Sequence, residues 1–160
     1  MKIILIILIS LIIAALTYFF YLGYKSQTGK ATGLVDSKLS ACSKKPNCVC
    51  TEYPDDPSHF IEAIQYQSIN IGNIIDAIES TGGVLTDSNN DYIAATYTSR
   101  IFKYVDDLEI RIDAEKKLLH LRSASRVGHS DMGANLKRLE NFKRALEQII
   151  DGKKLNKNNN

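Results

Sequence analysis

IFKYVDDLEIRID, residues 101–113, and KLLHLRSAS, residues 117–125, decide the fold. Side chains alternate across an extended strand. In the first run Phe102, Tyr104, Leu108, Ile110 and Ile112 share one face, which has to be the core face, and Asp106 has the same parity. The other face carries Lys103, Asp107, Glu109, Arg111 and Asp113. In the second run Leu119, Leu121, Ser123 and Ser125 lie opposite His120, Arg122 and Arg126. With DAEK as a four-residue hairpin loop, Ile110 faces Leu119, Leu108 faces Leu121 and Asp106 faces Ser123. On the far side Asp107 faces Arg122 and Glu109 faces His120. Apolar meets apolar and acid meets base, which is what specifies a register.

The segments outside this hairpin extend the pattern. Val84–Thr86 and Tyr92–Thr98 flank the turn-rich DSNND and predict a second hairpin. Ile71, Ile74, Ile75 and Ile78 recur at helical spacing, and Gly82 and Gly83 end that helix. A last helix is expected from about Met132 to Ile150, with Leu136, Leu139, Phe142, Leu146, Ile149 and Ile150 as its apolar stripe. His59–Tyr66 reads as a short strand, and residues 42–58, with all three prolines, as irregular. The expected class is α+β: an antiparallel meander sheet of about four to five strands, two helices packed on one face, and one N-terminal transmembrane helix before it. No internal repeat interrupts this order.

Residues 3–22, IILIILISLIIAALTYFFYL, contain no charge. At ~1.5 Å per residue they span ~30 Å, the thickness of a bilayer's hydrocarbon core. A cleavable signal peptide is the competing reading, but it wants a shorter apolar region and a small-x-small cleavage site. Tyr18, Phe19, Phe20, Tyr21 and Tyr24 resemble an interfacial aromatic belt, which favours an uncleaved anchor. The chain divides into an anchor or signal segment (1–24), a polar linker (25–41), a globular domain (42–150) and a solvated, disordered tail (151–160).

Lysines follow the apolar run more densely than they precede it, which on the positive-inside rule keeps the body in the cytoplasm. The cysteines point the other way. CSKKPNCVC has neither a usual zinc spacing nor a C-x-x-C redox motif. A Cys42–Cys48 disulfide around Pro46 is the preferred reading and requires an oxidising compartment; three idle thiols are the alternative. Beyond the anchor the chain carries 19 Lys and Arg (20 less Lys2) against 18 Asp and Glu, so no basic footprint for nucleic acid is present.

The junction RSASRVGHSDMGANLKR, residues 122–138, is rich in arginine, serine and glycine beyond what a turn requires. A buried carboxylate is costly unless paired. Asp106 therefore calls for Ser123, Ser125, Arg126 or the Ser130/Asp131 helix start, unless a bulge turns Asp106 and Asp107 outward. Either way the junction reads as a polar network locking the last strand to the last helix. The plain structural reading makes Ser130 or Asp131 an N-cap and lets Arg122 and Arg138 balance Asp107 and Glu109. The functional reading is an anion or partner site at a helix start. A serine hydrolase is weakly supported, because the order S-x-S-x-x-x-H-S-D is not triad geometry and no G-x-S-x-G is present. A metal site is as weak, since Asp106 lies on the face opposite Asp107 and Glu109.

CSKKPNCV, FKYVDDLEI and RSASRVGHSDMGAN with Lys137 and Arg138 resemble, in this order, the DUF1499 domain family over residues 42–145. The chain departs from the family's usual pattern at Cys50, His129 and Leu136. The resemblance implies membership of a mostly bacterial family, not a mechanism. It carries Asp106, Asp107, Glu109, Arg122, Ser123, Ser125, Arg126, Gly128, Ser130, Asp131 and Asn135 as a set, to which the junction adds Arg138. Members often follow a signal or membrane segment, which agrees with an exported body. The resulting expectation is a non-enzymatic binding module, single-pass in a bacterial inner membrane with its domain in the periplasm, or released there after cleavage. It needs no cofactor or metal, and its partner is an envelope protein or a small anionic ligand. The rival is an envelope hydrolase using the acids of VDDLE or the serines of RSASR.

Overall fold

A computed structural model describes residues 1–158, with side chains described through Lys153. Helix α1 (Lys2–Gln27) carries the apolar run. A two-residue turn at Asp36 and Ser37, both at positive φ, joins β1 (Leu34–Val35) to β2 (Lys38–Leu39). Then come β3 (Cys48–Cys50), β4 (Ile64–Gln65), α2 (Ile71–Ser80), β5 (Val84–Ser88), β6 (Tyr92–Thr98), β7 (Val105–Asp113), β8 (Leu118–Ser125) and α3 (Ala134–Asn158).

The main sheet has six strands. Strands β5 to β8 form the expected antiparallel meander. The short strand expected at His59–Tyr66 is present as β4, and β3 is the addition; both pair antiparallel with β8, end to end along its free edge. The cysteine segment, read from its prolines as irregular, therefore contributes a strand. Both shorter helices pack on one face, where Ile74, Ile78, Ile93, Leu108, Ile110, Leu121, Phe142 and Leu146 are among the buried core residues. Asn70 caps α2 by accepting from the Gly72 N–H at 2.8 Å, and Gly82, at φ +87°, ends it as expected.

Three local expectations need correction. Strand β7 starts at Val105, so Phe102 and Tyr104 do not join the core face. Lys103 sits at φ +60°, which breaks the extended run and lets Phe102 turn to the rings of Phe19 and Phe20, 5.3 and 5.2 Å away. The β7–β8 register is shifted by two residues: Ile110 faces Leu121, Leu108 faces Ser123, Asp106 faces Ser125 and Glu109 faces Arg122. The loop is Ala114–Lys117, closed by Lys117 at φ +56°. Helix α3 continues past Ile150 to Asn158, into the segment expected to be a disordered tail. Lys153 supports this turn, its Nζ donating to Asn73 Oδ1 and Asp76 Oδ2 of α2 at 2.7 and 3.0 Å. The last two positions of that tail, 159 and 160, lie outside the described residues.

The second face of the sheet is covered by the chain between α1 and β3. Leu39 is fully buried there with Cys50, Tyr92 and Ala94. The helix α1 itself is keyed to the sheet. A Cβ on Gly23 would lie 1.7 Å from the Phe102 carbonyl oxygen, so only glycine permits this approach. Buried Ser26 accepts from the Val105 N–H at 2.9 Å, and its carbonyl accepts from Arg126 at 3.1 Å.

Candidate functional site

The candidate residues fall into two groups on opposite faces of β7 and β8. On the core face, Asp106 meets Arg138 of α3, Oδ2 to Nη2 at 2.6 Å. Its expected partners, Ser123, Ser125 and Arg126, are not the ones it takes. No bulge turns it outward, because the β7–β8 pairing runs unbroken from Asp106 to Asp113. Fully buried Ser123 donates to Asn135 Oδ1 at 2.7 Å and accepts from Arg138 at 2.9 Å. Arg138 also donates to Asn135 Oδ1, and its guanidinium carbon stands 4.8 Å from the Tyr97 ring centroid. Asn135 Nδ2 donates to the Asn47 carbonyl at 2.9 Å and to Ser125 Oγ at 3.1 Å. One asparagine thus ties α3, β8 and the start of β3 together.

On the second face lie three buried ion pairs. Arg126 grips Asp107 with two hydrogen bonds of 2.8 and 2.7 Å. Arg122 donates to Glu109 Oε2 at 2.6 Å, while Glu109 Oε1 accepts from Tyr92 and from the Gly33 N–H, both at 2.8 Å. Arg111 pairs with Glu52 at 2.7 Å. Arg122 Nε is left without a hydrogen-bond partner, the one such buried side-chain atom among the described residues. Burial and the adjacent Glu109 carboxylate push Tyr92 well above the usual phenol range, so it stays a hydrogen-bond donor.

His120 stands beside these pairs. Burial pulls its pKa down against the opposing pull of Glu52. Its Nδ1 is 3.1 Å from Thr51 Oγ1, which also accepts from the Leu121 N–H at 3.0 Å, and 3.7 Å from Glu52 Oε2. Burial also raises the pKa of the free Cys50 thiol, although Arg122 pulls it down. A buried thiol held protonated is a poor nucleophile.

Ser130 and Asp131 lie at the start of α3, and Asp131 adjoins the first group through Asn135. Asp131 accepts from the Gly133 and Asn135 N–H groups at 3.1 and 2.7 Å, and Ser130 from Met132 at 3.3 Å. Asp131 caps α3, which begins two residues later than expected because Met132 is at φ +54° and Gly133 at φ +80°. Cys42 and Cys48 form the expected disulfide.

Asn47, Glu52, Tyr92, Tyr97, Gly23 and Ser26 belong to these networks and were not singled out from the sequence. Tyr92 alone had a usable signal, since β6 alternation puts it with Ala94 on the face opposite Ile93 and Ala95. The others are joined by contacts distant in sequence.

The candidate nucleophiles and bases are engaged in contacts within the fold. Ser123 and Ser125 are bonded to Asn135, not to a histidine. His59, near Ser58 and Asp56, has its Nε2 committed to the Lys45 carbonyl at 3.0 Å. Among the described residues no group of three His, Cys, Asp or Glu is placed to hold a metal ion. Arg138 lines a shallow groove of about 220 Å³ with Thr81, Tyr97, Ala134, Lys137 and Asn141.

Fold and site together define a class: an α+β sheet domain, stapled by a disulfide and by ion pairs on both faces, continuous with a helix long and apolar enough to cross a membrane. The chain belongs to the DUF1499 family of proteins of unknown function, whose model matches residues 38–146. No curated protein matches the sequence.

Proposed function

We propose that the chain is a non-enzymatic interaction domain, held at the periplasmic surface of a bacterial inner membrane by α1. Its contact surface for a partner protein is the loop between β8 and α3 with the adjoining groove at Lys137 and Arg138. The observation that carries this reading is Met132. It is fully exposed and held at φ +54°, a conformation that costs a non-glycine residue of order 1–3 kcal/mol. A large apolar side chain displayed at that cost, between caps that fix the loop, suits a contact residue better than a connector. The buried candidates at the loop's two ends set its position: Arg126 is held by Asp107, Asn135 by Ser123 and Ser125, and Arg138 by Asp106. The disulfide supports an oxidising compartment.

Photo-crosslinking in cells tests the contact. A photoreactive residue at Met132 is expected to give a discrete protein adduct that the same residue at Lys116, at the far hairpin, does not. Adducts at neither position, with no retained ligand in native mass spectrometry, would overturn it. The compartment is tested with a cysteine at Glu115, because buried Cys50 cannot report. A membrane-impermeant maleimide should label it in spheroplasts before lysis.

A further inference from the structure

The loop joining β6 and β7, Ser99 to Tyr104, takes no part in the ion pairs above, and it leaves the sheet beside α1. Its ends are tied: the Ser99 N–H donates to the Tyr104 carbonyl at 2.8 Å, and the Tyr104 N–H donates to Ser99 Oγ at 2.9 Å. At its tip are Arg100, Ile101, Phe102 and Lys103, with no acid between Thr98 and Val105. Ile101 is 70 % exposed. Phe102 touches Phe19 and Phe20, and both of those rings belong to the uncharged run that ends at Leu22.

Depth follows from these contacts. Phe19 and Phe20 lie two to three residues inside the end of the run, about 3–5 Å at the helical rise. Any bilayer that accepts residues 3–22 therefore takes Phe102 to the boundary of its hydrocarbon, and exposed Ile101 beside it. The Gly23 and Ser26 contacts leave the loop little freedom to lift away.

We infer that the Arg100–Lys103 loop is a second membrane contact, with Ile101 and Phe102 in the acyl boundary and Arg100 and Lys103 on anionic lipid phosphates. The occupant of this patch is the lipid interface, by continuity with the apolar helix and by charge. Long basic side chains flanking an apolar tip reach back to headgroups. The domain is then seated on the bilayer at two points and cannot swing about α1. This inference rests on α1 spanning a membrane.

The chain has no tryptophan, so a single introduced one reports its own depth. Ile101→Trp, Leu16→Trp and Lys116→Trp are each made in the full chain and reconstituted in phosphatidylethanolamine–phosphatidylglycerol vesicles containing acyl-brominated lipid. Lys116 lies at the other end of β7, about 27 Å along the strand. Bromine should quench the Ile101→Trp protein nearly as strongly as the Leu16→Trp protein, while the Lys116→Trp protein keeps its emission. Quenching at position 16 with none at 101 would overturn the loop contact and leave the anchor standing. Absence of quenching at 16 would remove the anchor, and with it this inference. A circular-dichroism spectrum matching the unsubstituted chain guards against a misfolded Ile101→Trp protein, with Arg100→Trp as the second reporter on the same tip.

Discussion

Arg126 tests most directly whether the arginine-rich junction is a lock. Its guanidinium makes two bonds to Asp107 and one to the Ser26 carbonyl, and the two side chains of the ion pair are 12 % and 6 % exposed. In Arg126→Ala, Asp107 is left charged and nearly dry. Breaking one side of a buried pair costs about 3–5 kcal/mol. Residual exposure places the expected loss near the lower end, about 3 kcal/mol. Domains of this size have about 5–15 kcal/mol in total. With a urea slope of about 1.5–2 kcal/mol per molar, the midpoint should fall by about 1.5–2 M. The assay is urea unfolding of the full chain in a mild detergent, followed by tyrosine near-ultraviolet circular dichroism. Adding Asp107→Asn to Arg126→Ala removes the stranded charge and should recover part of the loss, so the two single effects sum to more than the double. Lys44→Ala, an exposed control, should stay within about 0.5 kcal/mol. A change for Arg126→Ala as small as that control's would refute the reasoning. It would mean that Asp107 is solvated in practice and that Arg126 is free to meet a ligand.

Gly23→Ala should loosen the seat of α1 on the domain, because the added methyl meets backbone at Phe102, not a side chain that can swing aside. A loss of about 1–3 kcal/mol is expected, with wild-type stability as the contrary result in the same urea assay. His59 gives a pH signature. Burial lowers its pKa, but the hydrogen bonds to Asp56 and to the Lys45 carbonyl outweigh it and leave the net shift upward. A raised folded pKa contributes stability that is full below the unfolded value of about 6.5 and lost as pH rises through the folded one. The gap in urea midpoint between wild type and His59→Gln should therefore be wider at about pH 5.5 than at about pH 8.5; a gap that widens toward alkaline pH contradicts the assignment.

Alternation exposed the faces of β7 and β8 in the sequence, yet it could not fix their register. A shift of two residues keeps every side chain on its face, so Ile110 opposite Leu119 and Ile110 opposite Leu121 are equally apolar pairings. The choice is made in the loop, where Lys117 takes a left-handed conformation that no residue type at that position announces. The strand start was hidden for the same reason, at Lys103.

The charge partners were illegible for a different reason. Ion pairs between long side chains need not join residues that face one another. Asp107 faces Ala124 but pairs with Arg126, and Asp106 faces Ser125 but reaches α3 for Arg138. Only Glu109 pairs with the residue directly opposite, Arg122. What the sequence did disclose is that Asp106 shares the core face and that a carboxylate there demands a cation nearby. That demand is met by the helix that closes the core, so breaking it should free α3 as well as strand Asp106. Asp107, one residue on, makes the same demand on the other face, and Arg126 meets it while also holding the carbonyl of Ser26. Two adjacent acids thus bind the sheet to its covering helix on one side and to the base of α1 on the other. That geometry is reason enough for two acids side by side in the VDDLE run.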